Sequence, residues 1–251
     1  MFSKSSFPKI KILRGSIYSV SLTLILVLYV FSIVSASEET LPDMMTLMAY
    51  MERAYATVYD YQAKIEVRTY KGDKNFDTEI FLYRFKKPNL LRIDIESPRT
   101  GMVLVYPDKN GKAVVRLPGF ARFFPLHLSP DHFLLKGSFE QPIDKTDLGL
   151  LIENIGHSLA DQPYCTPNVK EQDGYIVIQV IAQNHFREGV ITNYRFFIDK
   201  GRWLPVKVEE STPGGRLERS IAFNDLKINI GLSDKIFALD EPEGNENEQA
   251  K

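Results

Sequence analysis

Few side chains in this sequence have the types and spacing that covalent or metal chemistry needs. "HLSPDH" holds His127, Asp131 and His132, but the two histidines stand five apart across Pro130, and no third ligand follows at a matching interval. The single cysteine, Cys165, with His157 is the one sequence-local nucleophile–base pair, and a hydrolase is the activity it would support. Asp94 and Glu96 share a strand face between basic residues, the pattern of a solvated face and not of a carboxylate pair for glycoside chemistry. No HExxH, GxSxG or Gly-rich phosphate loop occurs. These residues predict no catalytic group, no metal and no cofactor.

What remains is apolar chemistry. In "EIFLYRFKKPNLLRIDIESP", Glu79 to Pro98, Leu91, Ile93 and Ile95 alternate with Arg92, Asp94 and Glu96, so this strand has one dry face and one wet face. Phe81, Tyr83 and Phe85 form an aromatic stripe on the preceding strand, while Ile80 and Leu82 occupy its other face. Such a stripe either fills a core or lines a cavity for an apolar ligand. Met44, Met48, Met51, Tyr55 and Val58 recur at four-three-four-three spacing on one helix face, widened by Met45, Leu47 and Ala54. Methionine adapts to irregular partners, so this helix is either a plastic lid or a fixed plug. "GFARFFPLHL", Gly119 to Leu128, sets Phe120, Phe123 and Phe124 around Arg122. That suits a loop touching a membrane or a partner, or one folded back over the sheet.

The N-terminus bears on where such a surface would work. Lys4, Lys9, Lys11 and Arg14 precede the apolar run "SIYSVSLTLILVLYVFSIV", and Val34 and Ala36 hold the small-residue positions of a cleavage site. Residues 1–36 read as a secretory signal peptide; the alternative is an uncleaved anchor, since the run is about bilayer length. No cysteine lies near the cleavage point, so the chain is not expected to be a lipoprotein of the bacterial type itself. Four of the 31 basic residues leave with the signal, and 27 basic against 32 acidic side chains remain. That balance excludes a nucleic-acid partner held by charge. Residues 37–240 are of ordinary size for one domain, and the acidic stretch 241–251 reads as a solvated tail.

The elements that must position the apolar residues follow from periodicity. A helix from Thr40, capped there with Asp43 as capping-box partner, runs to about Asp60. Alternating runs then predict strands at Ala63–Tyr70, where Ile65 and Val67 share a face, and at Thr78–Phe85, Leu90–Ser97, Met102–Tyr106 and Lys112–Leu117. Leu148, Leu151, Ile152, Ile155 and Leu159 fit a second helix, with Thr146 or Asp147 as its cap. Four more strands close the chain, at Tyr175–Gln183, Thr192–Asp199, Leu204–Ser211 and Arg216–Ile228. About nine antiparallel strands with two helices predict a mainly β fold, curled into an open barrel or half-barrel with the helices on its concave side. Several strands are apolar on both faces. They outnumber the helices available to cover them, which favours a cavity over a filled core.

The C-terminal stretch "YRFFIDKGRWLPVKVEESTPGGRLERSIAFNDLKINIGLSDKIFAL", the N-terminal helix followed by "DYQAKIEVRTY", and the middle "RFKKPNLLRIDIESPRTGMVLVYPDKNGK" together resemble the LolA-like lipoprotein-sorting superfamily, in an uncharacterised branch of it. The resemblance implies an unclosed β-barrel with a helical lid and an apolar interior that receives acyl chains. It implies a non-enzymatic periplasmic carrier or binder of lipid or lipoprotein, expected as a monomer, with donor and acceptor proteins in the inner or outer membrane. The alternative within the same fold is an envelope-stress sensor regulating a membrane-bound partner. The lining or lid residues expected on this basis are Met44, Met48, Met51, Tyr55, Ile65, Val67, Phe81, Tyr83, Phe85, Leu91, Ile93, Ile95, Phe120, Phe123 and Phe124. In the family a basic residue early in the barrel helps hold the lid; Arg68 falls on the matching strand without a role assigned to it.

Overall fold

The computed structural model describes residues 41–72, 75–136, 142–160, 166–185, 187 and 189–239. The expected signal segment, the acidic tail, Thr40, Phe139 and Cys165 lie outside them. Helix α1 (Met44–Ala56) begins three residues later than expected: Asp43, read above as partner to a Thr40 cap, is itself the N-cap, accepting from Thr46 N at 3.0 Å. Its buried seam runs through Leu47 and Met51, with Met44 and Met48 packed along its edge. Met45, expected to widen that face, is 84% exposed, because it sits around the helix from Leu47.

Eleven strands form one antiparallel sheet. They are β1 (Asp60–Tyr70), β2 (Phe76–Lys86), β3 (Leu90–Ser97), β4 (Val103–Tyr106), β5 (Ala113–Arg116), β6 (Leu126–Leu128), β7 (Asn168–Gln172), β8 (Tyr175–Gln183), β9 (Ile191–Asp199), β10 (Leu204–Ser211) and β11 (Leu217–Ile228). Their order is β6-β5-β4-β3-β2-β1-β11-β10-β9-β8-β7, and β6 does not pair with β7, so the barrel is unclosed. The two strands beyond the expected nine are the outermost ones. Leu126–Leu128 is three residues long, and Asn168–Gln172 ("NVKEQ") carries a single apolar residue. Edge strands face water on more sides and carry a weak period-two signal.

Register puts Ile65 opposite Phe81 and Phe223, and Tyr83 opposite Ala63 and Ile93. These residues belong to one continuous inner face. Helix α2 (Leu148–Ala160) buries Leu148, Ile152 and Ile155 on that face. It lies over β8 and β10, and α1 lies against α2 and β10. At the crossing of the helices, a Cβ on Gly149 would stand 2.3 Å from the Tyr55 ring, so only glycine allows this approach.

The strands apolar on both faces have covers that a helix count misses. On the outer face Val103, Val105 and Val114 cluster under Leu239. Phe197 lies beneath Arg195, whose guanidinium stands 5.0 Å from the ring centre, and Lys207, at 4.7 Å. The outer sides are therefore closed by the C-terminal segment and by long cationic side chains. Most of the inner face is close-packed, so the expected surplus of uncovered strands shrinks to a local one.

Candidate functional site

That local surplus lies at β2–β6. Among the described residues no helix longer than a single turn covers this part of the inner face; its described roof is the segment of residues 119–136 and 142–145. The segment contains a 3₁₀ turn at Gly119–Phe123, strand β6, a single helical turn at Phe133–Lys136 and a 3₁₀ turn at Ile143–Lys145. Under it is a cavity of about 150 Å³, lined by Phe81, Ile93, Ile95, Met102, Leu104, Val115, Leu117, Leu126, Leu128, Leu135 and Ile143. Glu79, Pro98 and Arg99 stand at one end of it. Beyond that end is an open, charged vestibule of about 700 Å³, bordered by Glu79, Arg99, Arg187, Arg216 and Arg219. A second, smaller apolar space of about 50 Å³ lies between α2 and Tyr194, Phe196, Val208, Ile221 and Phe223.

Three tyrosines, two on β1 and β2 and one on α1, fasten the start of α2 where it leaves the roof. Tyr61 accepts from Leu148 N at 3.1 Å, Tyr83 shares a 3.1 Å hydrogen bond with Thr146 Oγ1, and Tyr55 donates to Asp147 Oδ1 at 2.8 Å. Asp147 also caps α2 by accepting from Gly149 N at 2.6 Å. Burial pushes all three phenols well above their usual pKa, with the nearby Asp147 charge acting in the same direction, so they stay protonated. Thr146, offered above as the other cap, instead bonds Tyr83 and the Ile143 carbonyl.

The fifteen residues singled out from the sequence divide four ways. Phe81, Ile93 and Ile95 line the cavity. Tyr83, Phe85 and Leu91 line a recess of about 40 Å³ beside it, with Tyr106 and Ile143. Ile65, Val67 and Met51 are packed in filled core, Met44 and Met48 flank it, and Tyr55 holds α2. Phe120, Phe123 and Phe124 are 81%, 45% and 65% exposed and stand outside the cavity, Phe120 with its ring centre 6.0 and 6.2 Å from the other two. The sequence reading missed the far wall, from Met102 to Leu128. Its signal was present in the alternation of Met102 with Leu104 and of Val115 with Leu117. It also missed Tyr61 and the Glu79–Arg99 end, which no local pattern marks.

Cys165 lies outside the described residues; the other residues considered for covalent or metal chemistry have partners of their own. His127 Nδ1 is 2.9 Å from Asp108 Oδ2, and the His132 ring stacks on Phe133. Asp94 lies between Arg84 and Arg92 on the outer face. Burial alone would raise its pKa, but the two arginines outweigh that and hold it below the usual carboxylate value. Arg68 pairs with Glu66 at the surface. A Ser–His contact joins Ser158 Oγ to His185 Nε2 at 2.6 Å, but Ser158 is 1% exposed on the buried face of α2 and offers a substrate no approach. Among the described residues no group of three or more His, Cys, Asp and Glu is arranged for a metal ion, and no helix is long and apolar enough to cross a membrane.

No protein-family model and no curated protein matches the sequence. Solved structures with a similar fold do exist. An uncharacterised conserved protein from Thermus thermophilus is 10% identical at a TM-score of 0.46, over 77% of this chain and 91% of that one. A LolA superfamily protein from Nitrosomonas europaea is 14% identical at a TM-score of 0.38, over 80% and 99%. MucB in the Pseudomonas aeruginosa MucA/MucB complex is 12% identical at 0.43, over 77% of this chain and 60% of that one. Likenesses of this depth carry no functional argument, so the function is argued from the geometry of the sheet.

Proposed function

We propose that this chain is an exported, periplasmic, non-enzymatic carrier or binder of lipid or lipoprotein acyl chains. The observation that carries the reading is the apolar cavity of about 150 Å³ on the one part of the inner face that irregular chain, and no packed helix, covers. A void of this size lined by Leu, Ile and Phe stays dry and has room for a molecule about as large as benzene. An acyl chain of about a dozen methylenes is longer than that. Its burial contributes on the order of 10 kcal/mol at about 0.8 kcal/mol per methylene, enough to displace a loosely packed roof. The moving part is the Gly119–Leu135 segment. Helix α1 stays in place, because Leu47 and Met51 are fully buried. Hydrophobic burial supplies affinity with little selectivity among chains. The exposed Phe120 and Phe124, on the outside of the roof, are the surface by which it meets a membrane or an acceptor.

Native mass spectrometry of Ser37–Lys251, extracted mildly after export to a periplasm, tests this. Co-purified lipid at about one per chain is the expected result. A clean apo mass that persists after phospholipid and lipopeptide are added overturns the reading.

A further inference from the structure

The charged end of the cavity has a composition that an acyl-chain site does not need. Along β2, Glu79 is the inner-face position next after Phe81, and it pairs in register with Val67. One step further out the row across the sheet reads Asp77, Thr69, Arg219, Glu210, Tyr194. The inner face is thus apolar along its length and becomes charged within one row at this rim. Most of these charges are already matched. Arg219 holds Glu210 through two bonds of 2.8 and 3.1 Å, and Glu218 lies 3.3 Å from Arg216 and 3.7 Å from Arg187. Two are not: among the described residues neither Glu79 nor Arg99 has an ion-pair partner. They do not pair with each other, although both border the cavity and the vestibule. Two opposite charges without an ion pair, both at the exit of an apolar cavity, suit a head group carrying an anion and a cation a few bonds apart.

We propose that this rim is the head-group site for a zwitterionic phospholipid of the phosphoethanolamine type. The phosphate lies against Arg99, with the Arg187–Arg216–Arg219 cluster behind it, and the ammonium lies against Glu79. Guanidinium donors suit phosphate oxygens, and a carboxylate accepts from an ammonium. The inference rests on the acyl-chain reading above and narrows it: the ligand class is a phospholipid with a primary amine.

The test uses the exported chain and three fluorescent probes with identical acyl chains: phosphatidylethanolamine, phosphatidylglycerol and diacylglycerol. Partly exposed charge contacts give about fivefold each, so phosphatidylethanolamine should bind on the order of twentyfold tighter than diacylglycerol. Arg99→Ala should weaken both phospholipids about fivefold and leave diacylglycerol unchanged. Glu79→Gln should remove the preference for phosphatidylethanolamine over phosphatidylglycerol. Equal binding of all three probes overturns the head-group site and leaves acyl binding standing; no binding of any probe overturns both. Free O-phosphoethanolamine should displace the lipid only at millimolar levels. Displacement at micromolar levels would make the rim a site for the soluble amine phosphate and overturn the lipid assignment.

Discussion

The two wings of the sheet use the same kind of strand and end in different states. The wing from β8 to β11 faces two helices, and its inner residues Ile178, Tyr194, Phe196 and Val208 are packed to near-complete burial. The wing from β2 to β6 faces short turns only, and its inner residues Ile93, Leu104 and Val115 border a void. Strand chemistry does not separate them, since both alternate and both are rich in β-branched and aromatic residues. The roof separates them. A helix presents a continuous stripe that interdigitates with a pleated surface, and an irregular segment containing Pro125, Pro130 and Pro142 cannot. The larger cavity, about 150 Å³ against about 50 Å³ under α2, therefore stands where the cover lacks regular structure.

The contrast predicts unequal responses to equal substitutions. The largest effect belongs to the helix-covered wing, β8 to β11. Glu210→Ala strands the buried Arg219 guanidinium and should lower stability by about 3–5 kcal/mol in urea titration, whereas replacing both partners by apolar residues of similar volume should be near neutral. Ile178→Ala, also in the helix-covered wing, should cost about 4 kcal/mol, against about 1–2 for Ile95→Ala on the cavity wall, where partner atoms are already missing. Equal costs would erase the distinction between the wings. Leu104→Phe fills the void: it should change stability by less than about 1.5 kcal/mol while displacing bound acyl chain in a competition assay. The same change at Ile178 should overpack by about 1–3 kcal/mol.

The smaller effects lie on the outside of the open wing. Phe120→Ser with Phe124→Ser should shift the unfolding midpoint by no more than about 0.5 kcal/mol per site, yet weaken binding to phospholipid vesicles in a flotation assay. Asp94 has a lowered folded pKa, so its contribution is present above the unfolded value of about 4 and is lost as pH falls through the lower folded value. Asp94→Asn should lower the urea midpoint at neutral pH and leave it little changed below the folded pKa, so the acid limb of the profile flattens.

Much of this was legible because it is local. Period-two alternation in "LLRIDIES" and 3.6-residue spacing in "LGLLIENIGHSLA" depend only on neighbours along the chain, and the elements appear where those patterns stand. Edge strands β6 and β7 were not legible, because solvent on their free sides relaxes the pattern. The set of inner-face residues was readable to a good extent: Phe81, Ile93 and Ile95 line the cavity. Their division into wall and core was not readable, and Ile65, with the same residue type and alternation, is solid core.

The sequence alone determined the strands, the two main helices, the unclosed antiparallel class and the absence of a recognisable catalytic motif, since each depends on residue type and spacing over a few turns of chain. Only the tertiary structure decided where α2 lands, which inner residues therefore face a void, and that Glu79, Arg99 and Arg219 meet at one rim. Those facts join residues 20 to 140 positions apart through the strand order β3-β2-β1-β11. Contacts at such separations are set by which surfaces can be buried together, and no window of sequence contains both partners.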